Sequence, residues 1–346
     1  MTTDTAAATP AATGEPARRR RARRGRSAVA SYLVMVFALI TLNFWLPRAM
    51  PGDPLDAMLG VGNVGFALGE SARERFEEYY NLDGSLVAQY GNYMTRLAHG
   101  DLGRSIQTNA SVTKEIRRRL PWTLLLTGSS ILLATAIGMV AGIHSGWRRD
   151  KPVDRALLTG MLTVWQFPPY LLGSLLLFVF AVKLGWVPVA GADDPFNSYG
   201  PIEKIIDIGH HLLLPLVVLT AGLTAVSYLV MRAGMVNELG ADYLLLGRAK
   251  GLRTRRLKYA YAARNALLPL VGLTAVEVGS AVAANVFVEQ IFAYPGLGGL
   301  LFQSIGQRDY PTIQGVFLVL SLGVVTINAL GEILYRRLDP RTTASL

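Results

Sequence analysis

Apolar residues along this chain gather into six long runs separated by polar segments. They cover about residues 29–46, 122–143, 157–182, 212–231, 267–288 and 313–334. A helix needs about 20 mainly apolar residues to cross the hydrocarbon core of a bilayer. None of the six carries a run of charges, as expected where charge cannot be hydrated. The pattern predicts an all-α polytopic membrane protein with six transmembrane helices. In the third run, Pro168 and Pro169 predict a kink, because proline removes helix hydrogen bonds. In the second, Gly138 and Gly142 form a small-xxx-small pair that permits close helix packing.

The polar links predict the orientation. The 144–155 link has four basic residues against two acidic, and 232–264 has eight against two. The outer links are acidic, with eight acidic against four basic over 51–111 and four against two over 183–211. Basic loops stay in the cytoplasm. Both termini and the two basic links are therefore expected inside, and an even number of spans agrees. Lys114, Arg117, Arg118 and Arg119 run against this, but the rule is weaker in a link of about 70 residues. The expected organisation is a disordered basic cytoplasmic tail over 1–26 and a transmembrane domain over 27–346. Within that domain, 51–118 is extracytoplasmic and 232–266 is a cytoplasmic loop. An uncleaved first span fits better than a signal peptide, since no A-x-A-like site closes the first run.

Composition agrees. Hydrophobic residues make up 51% and charged residues 17%, against about 25% charged in soluble domains. Mean hydropathy is +0.33. The absence of cysteine excludes disulfides, thiol catalysis and cysteine metal sites. The net charge of +10 is localised, with seven arginines between Arg18 and Arg26. That cluster reads as a topology signal touching anionic lipid headgroups. No recognition fold for nucleic acid accompanies it. His210 and His211 are adjacent and cannot project to one side of a helix, so no metal site is predicted. No G-x-x-x-x-G-K-[ST] stretch is present to cradle phosphates, so no cofactor or ATP site is expected in this chain.

Two segments outside the spans carry pattern. Leu82, Leu86, Tyr90, Tyr93 and Leu97 form a helical stripe that packs on its own bundle or on an external partner. The stretch Gly247–Leu270 holds seven Arg and Lys residues. Residues 238–246 can form a short helix, with Asp242 placed to cap it. Gly251 then allows a sharp turn, and a second helix resumes and enters the bilayer near Pro269. By pattern alone this is either a solvated positive-inside loop or a surface that another protein grips.

The stretch "DYLLLGRAKGLRTRRLKYAYAARNALLP" resembles the EAA loop of ABC-type importer permeases of the dipeptide/oligopeptide/nickel family. Asp242, Tyr243, Arg248, Ala249, Lys250, Gly251, Leu252, Arg264, Asn265, Ala266 and Pro269 match the family pattern. Gly247, Leu257, Tyr261 and Ala263 depart from it. Further stretches resemble the family in the right order: "LPRAMPGDP" at 46–54, "HGDLGRSIQTNASVTKEIRRRLPWTLLL" at 99–126, "VFVEQIFAYPGLGGLLFQSIGQRDYPTIQG" at 286–315, and "LDPR" at 338–341. The long outer segment resembles the B-type subunit of the pair. The resemblance implies a type I ABC importer permease fold in the plasma membrane. It implies a peptide-importer subunit without catalysis of its own, forming half of a translocation pathway. A homologous second permease, two cytoplasmic ATP-binding subunits (which hold ATP and Mg) and an extracytoplasmic substrate-binding protein are the implied partners. Asp242, Tyr243, Arg248, Ala249, Lys250, Gly251 and Leu252 are then the ATPase-coupling residues. Nickel or a glutathione-like molecule is the alternative cargo.

Polar residues in the fifth run point to the pathway itself. Glu277 lies at membrane depth, where a carboxylate is costly. It lines a polar path, pairs with the partner permease, or makes an inter-helix hydrogen bond. Asn285 and Glu289 fall about 80° and 120° round the helix from it, a loosely shared face. An ion-driven secondary transporter is the rival reading, with Glu277 as its one coupling-ion candidate. A membrane scaffold is a third, but would not need the Gly-hinged loop.

Overall fold

The computed structural model describes residues 17–49, 85–196 and 199–338. The expected segments at 1–16, 50–84 and 339–346 lie outside the described residues, Leu82 and most of the "LPRAMPGDP" stretch among them. The described chain is helical throughout, with one isolated bridge between Arg104 and Ser111. Its helices are α1 (Ala17–Ala49), α2 (Leu86–Ala98), α3 (Val112–Trp147), α4 (Pro152–Gln166), α5 (Pro169–Leu176) and α6 (Pro201–Glu238). They continue as α7 (Asp242–Ala249), α8 (Thr254–Ile291), α9 (Leu297–Gly306) and α10 (Tyr310–Leu338). A π-helical segment, Leu177–Lys183, extends α5, and another, Leu257–Ala262, lies within α8.

Among the described residues, four helices are long and apolar enough to cross a membrane: α3, α6, α8 and α10. The third apolar run is not one rod. It breaks at Pro168 into α4 and the α5 segment, which meet at 95°. Proline at 168 and 169 denies the helix its backbone donors there. The pair makes a fifth span if counted as one. In α1 the apolar stretch Val29–Trp45 is shorter. Its helix starts at Ala17, so residues 17–26 are helical and not part of an unstructured tail. Arginine and alanine are both strong helix formers, which accounts for the continuation.

The core is built on the contact between α3 and α6. Gly138, Gly142 and Gly146 form a seam on α3, one turn apart. A Cβ at Gly138 would lie 2.7 Å from Ser227 Cβ, and one at Gly142 would lie 2.7 Å from Met231 Cβ. At Gly146 it would lie 2.5 Å from Met235 Cβ. The backbones therefore meet closely, with Leu126, Ala134 and Tyr228 fully buried around them. In a bilayer, such small-residue contacts supply the dispersion that a hydrophobic drive cannot.

The outer elements are tied down by polar contacts. Tyr90 of α2 bonds Thr41 of α1 at 2.8 Å, and Tyr90 packs edge-on to Phe44. Tyr93 accepts from Asn43 at 3.2 Å. The α2 stripe thus packs on its own bundle through the two tyrosines, while Leu86 is exposed. Asn43 and Gln314 exchange side-chain-to-backbone bonds that join α1 to α10.

Asp309 clasps two of the family-like stretches together. Its buried carboxylate accepts from Ser105 Oγ at 2.6 Å, Ile106 N at 3.0 Å and Thr312 Oγ1 at 2.7 Å. The 99–111 segment is thereby docked on the corner between α9 and α10, some two hundred positions away in sequence.

Candidate functional site

The basic loop is a rigid two-helix unit. The helix α7 starts at Asp242, but Ala241 is its N-cap and no side chain caps it. Asp242 is the first helical residue instead of the cap, where a negative charge still complements the helix dipole. The other end closes with two bonds, Leu252 N to Gly247 O at 3.0 Å and Gly251 N to Arg248 O at 2.9 Å. This is the Schellman pattern, which needs a left-handed residue after the helix. Gly251 supplies it with φ +73°. The expected glycine turn is therefore present.

The unit has a buried and an exposed side. Leu244 and Gly247 face inward, and Leu257 seals them with 2% exposure. They join Ile143 of α3 and Met231 and Met235 of α6 in one apolar cluster. Leu245, Leu246, Arg248, Ala249 and Lys250 face out. The departures at 247 and 257 turn out to be one feature. A Cβ at Gly247 would stand 2.6 Å from Leu257 Cδ2. The Leu257 side chain fills the space that a methyl at 247 would take. Tyr243, half-buried, donates to Glu238 at the end of α6. Burial and that neighbouring carboxylate push its phenol above the ordinary value, so it stays a neutral donor.

Behind the loop lies a polar lock that the sequence reading missed. Asp154, at the start of α4, is 1% exposed. Both its oxygens accept from Arg232 of α6 at 2.7 Å, a bidentate pair. Ser145 of α3 also donates to it, and Ser145 bonds Tyr228 at 2.6 Å. The Asp150 N–H completes the set at 2.9 Å. Three helices are thus pinned at one point, one turn from Met235 and the loop. Both charges had been read only as loop charges setting orientation. Their proximity has no signal in local pattern, because 78 positions separate them.

The pathway candidates are placed differently from one another. Glu277 is buried against α6, where Ser227 Oγ donates to it at 3.2 Å. Asn285 and Glu289 are brought together, with Asn285 Nδ2 donating to Glu289 at 2.7 Å. Glu289 is fully enclosed. Thr123 of α3 donates to it at 2.7 Å, and the Gly299 N–H at 2.9 Å. Gly299 lies in the first turn of α9, so the carboxylate satisfies an orphan donor of that helix. A Cβ at Gly296 would fall 2.1 Å from the carboxylate, so only glycine fits there. Glu289→Ala removes three bonds and leaves the Thr123 hydroxyl proton, the Asn285 amide and the Gly299 N–H without their acceptor, while the Leu297 N–H still bonds Thr123 Oγ1. It should destabilise the chain by about 2–4 kcal/mol, with Glu289→Gln costing less. Thermal midpoints in detergent would check this; an unchanged midpoint for Glu289→Ala would contradict it. The two histidines are accounted for locally: His210 bonds the Trp186 carbonyl, and His211 faces Asp207.

Comparison with known proteins places the chain in a family. Residues 134–344 match the model of the binding-protein-dependent transport system inner membrane component. The chain is 34% identical to the di/tripeptide transport system permease protein DppB of Pseudomonas aeruginosa, over 88% of this chain and 94% of that protein. It is 33% identical to the oligopeptide transport system permease protein AppB of Bacillus subtilis, over 89% and 95%. It is 35% identical to the glutathione transport system permease protein GsiC of Pectobacterium atrosepticum, over 87% and 92%. With its apolar helical core, its glycine-closed basic loop and matches over most of its length, the chain belongs to the family of binding-protein-dependent transport system inner membrane components.

Proposed function

We propose that this chain is the B-type permease subunit of an ATP-driven importer of di- or oligopeptides, and that α7 with its turn is the coupling surface for an ATP-binding subunit. One observation carries the reading. The α7 helix presents Leu245, Leu246, Ala249 and Lys250 outward from a base keyed by Leu244 and Gly247 into α3, α6 and α8. A merely solvated loop would have no reason to expose leucines on a rigidly anchored helix. A helix held this way transmits a push into the bundle, which is what conversion of ATP-driven closure into pathway rearrangement requires.

The full assembly in this reading has a second homologous permease, two ATP-binding subunits holding ATP and Mg, and an extracytoplasmic substrate-binding protein. Six spans place both termini in the cytoplasm, with α1 as the first and the bent α4–α5 pair as the third. The 51–118 segment lies outside and the 232–266 loop inside. Glu277 is the pathway-lining residue we favour, reached through rearrangement of α6 against α8. Asn285 and Glu289 shape the outer end of the pathway from behind. The peptide class is supported by the names of the relatives, glutathione being a peptide-like cargo among them. An ion-driven mechanism is not favoured, since the relatives are named as subunits of transport systems.

Gly251→Val tests the coupling surface. Valine at positive φ is strained by about 1–2 kcal/mol or more and distorts the turn. Substrate-stimulated ATP hydrolysis and uptake should fall at least about tenfold, with membrane insertion intact. Wild-type uptake and wild-type assembly in Gly251→Val would sink the proposal.

A further inference from the structure

The second half of the loop carries an unused feature. An open cleft at the start of α8 is lined by Arg253, Arg255, Arg256, Tyr259 and Ala260. All three guanidinium groups are exposed. From Tyr243 to Val276 the sequence has seven Arg or Lys residues and no Asp or Glu. Among the described residues, none of the seven forms an ion pair. Tyr259 is held in place at the cleft wall. Its hydroxyl meets His144 Nε2 of α3 at 3.3 Å, and Lys258 Nζ stands 5.0 Å over its ring. The cleft is thus a fixed cationic surface without an ion-pair partner among the described residues.

Two anionic surfaces could meet it, the lipid headgroups or a cytoplasmic protein. Distance decides between them. At about 1.5 Å per residue, Arg256 lies roughly 20 Å along α8 from Pro269, at the start of the apolar run expected to enter the bilayer. A helix tilt of about 40° still leaves roughly 15 Å. The headgroup layer is only about 5–8 Å deep on each side. Arg264, nearer the apolar run, is at headgroup level, and Arg253–Arg256 stand beyond it. At that depth they flank α7.

We infer that the Arg253/Arg255/Arg256 cleft is a second docking site that binds an acidic patch of the ATP-binding subunit, beside the contact made by α7. The inference rests on the coupling reading above and names the chemistry of a further contact. Guanidinium groups suit carboxylates because their fork matches both oxygens. Such rim charges act mainly on encounter and on salt dependence, while α7 supplies the apolar contact.

The test uses the complex assembled in its membrane and purified in mild detergent with its ATP-binding subunits. Changing all three residues to Glu should weaken retention of those subunits by about ten- to hundredfold at physiological salt. In the wild type, retention should fall as KCl rises; in the Glu variant it should be weak and nearly flat with KCl. Changing all three to Lys keeps the charge and should keep most of the retention. Should the Glu variant fail to insert, the Gln variant carries the same test, with weaker retention and a shallower salt slope than wild type.

Equal retention and equal salt dependence in the Gln and wild-type chains would overturn the inference. So would a defect that appears only in vesicles containing phosphatidylglycerol and vanishes in phosphatidylcholine, since that assigns the cleft to lipid. Gly251→Val separates the two levels. If it leaves coupling intact, the α7 reading falls. If it uncouples transport while the arginine variants behave as wild type, the acidic contact alone falls.

Discussion

Asp154→Ala should be one of the most damaging single substitutions in this chain. It strips the bidentate partner from Arg232 and the acceptor from Ser145 and from the Asp150 N–H. Arg232 would be left as an uncompensated, largely buried charge on a helix packed in the core. Removing one partner of a buried pair typically costs about 3–5 kcal/mol. In a chain of this size that shifts a thermal midpoint by on the order of 10 °C. Thermal unfolding of the purified chain in detergent reads this directly. The physical origin is tested by removing both charges. Asp154→Leu with Arg232→Met should recover much of the loss, because a well-packed apolar pair avoids the desolvation that the charges suffer. A near-wild-type midpoint for Asp154→Ala would show that water reaches Arg232 freely and that the three helices are not pinned there.

Gly142→Leu should prevent the chain from folding, and Gly142→Ala should already be harmful. The alanine Cβ would sit 2.7 Å from Met231 Cβ and 2.9 Å from the Tyr228 carbonyl oxygen. The second of these is backbone and cannot step aside as a side-chain tip can. The α3 and α6 axes must therefore separate along the whole seam, which loosens the contacts at Gly138 and Gly146 as well. Overpacking of this kind costs about 1–3 kcal/mol for one methyl, and a leucine adds far more. Gly128 and Gly160 are the controls, since nothing lies within 4 Å of a Cβ at either. Alanine there should be neutral or slightly stabilising, because it reduces the freedom of the unfolded helix. Monodispersity in detergent and thermal midpoints distinguish the cases. Equal effects at Gly142 and Gly128 would mean that helix propensity matters and the seam does not.

Much of this architecture was legible in the sequence because membrane spans write themselves as long apolar runs. The runs at 122–143, 212–231, 267–288 and 313–334 all fall inside helices that are longer than the runs. The helices extend past the bilayer, and their polar ends carry no apolar signal. The Pro168–Pro169 pair marked the break in the third run, but local pattern does not encode an angle of 95°. The glycine pair at 138 and 142 was visible as a motif. Gly146 extends the seam by another turn, and the same spacing would have found it. The basic 17–26 stretch looked unstructured by composition, yet Ala and Arg continue the helix of the first span.

The candidate site was legible where it is local and silent where it is not. Gly251 could be read as a left-handed turn because only glycine adopts one cheaply. Asp242 as a helix cap was also a local inference; Ala241 takes the cap instead, and the helix runs Asp242–Ala249 where 238–246 was expected. Asp154 with Arg232, Glu289 with Gly299, and Asp309 with Ser105 are contacts between different elements or segments. Each was visible only as a single charge, with no sign of its partner. The fit of Leu257 against Gly247 shows the same thing on a small scale. Two departures that looked independent in sequence occupy one volume in space.

In the proposed coupling role, these contacts let a short surface loop act on distant spans. The α7 unit shares one apolar cluster with α3, α6 and α8. The Asp154–Arg232 pair adds α4 to the same body. A force applied to Leu245 or Leu246 is therefore carried into four helices without an intervening flexible link.

The most direct test of the central claim uses the absence of native cysteine. A single cysteine is introduced at Leu245, and in a second variant at Ile205, which is exposed near the start of α6, at the end of that helix away from α7. A short thiol-reactive photocrosslinker is attached in membrane vesicles that retain the native partners. The covalent adduct is then identified by mass spectrometry. The account predicts an adduct at Leu245 with a protein that contains a G-x-x-x-x-G-K-[ST] stretch and hydrolyses ATP, and no such adduct at Ile205. Efficient labelling at Leu245 with no ATP-binding protein attached, in a chain that still supports uptake, would contradict it.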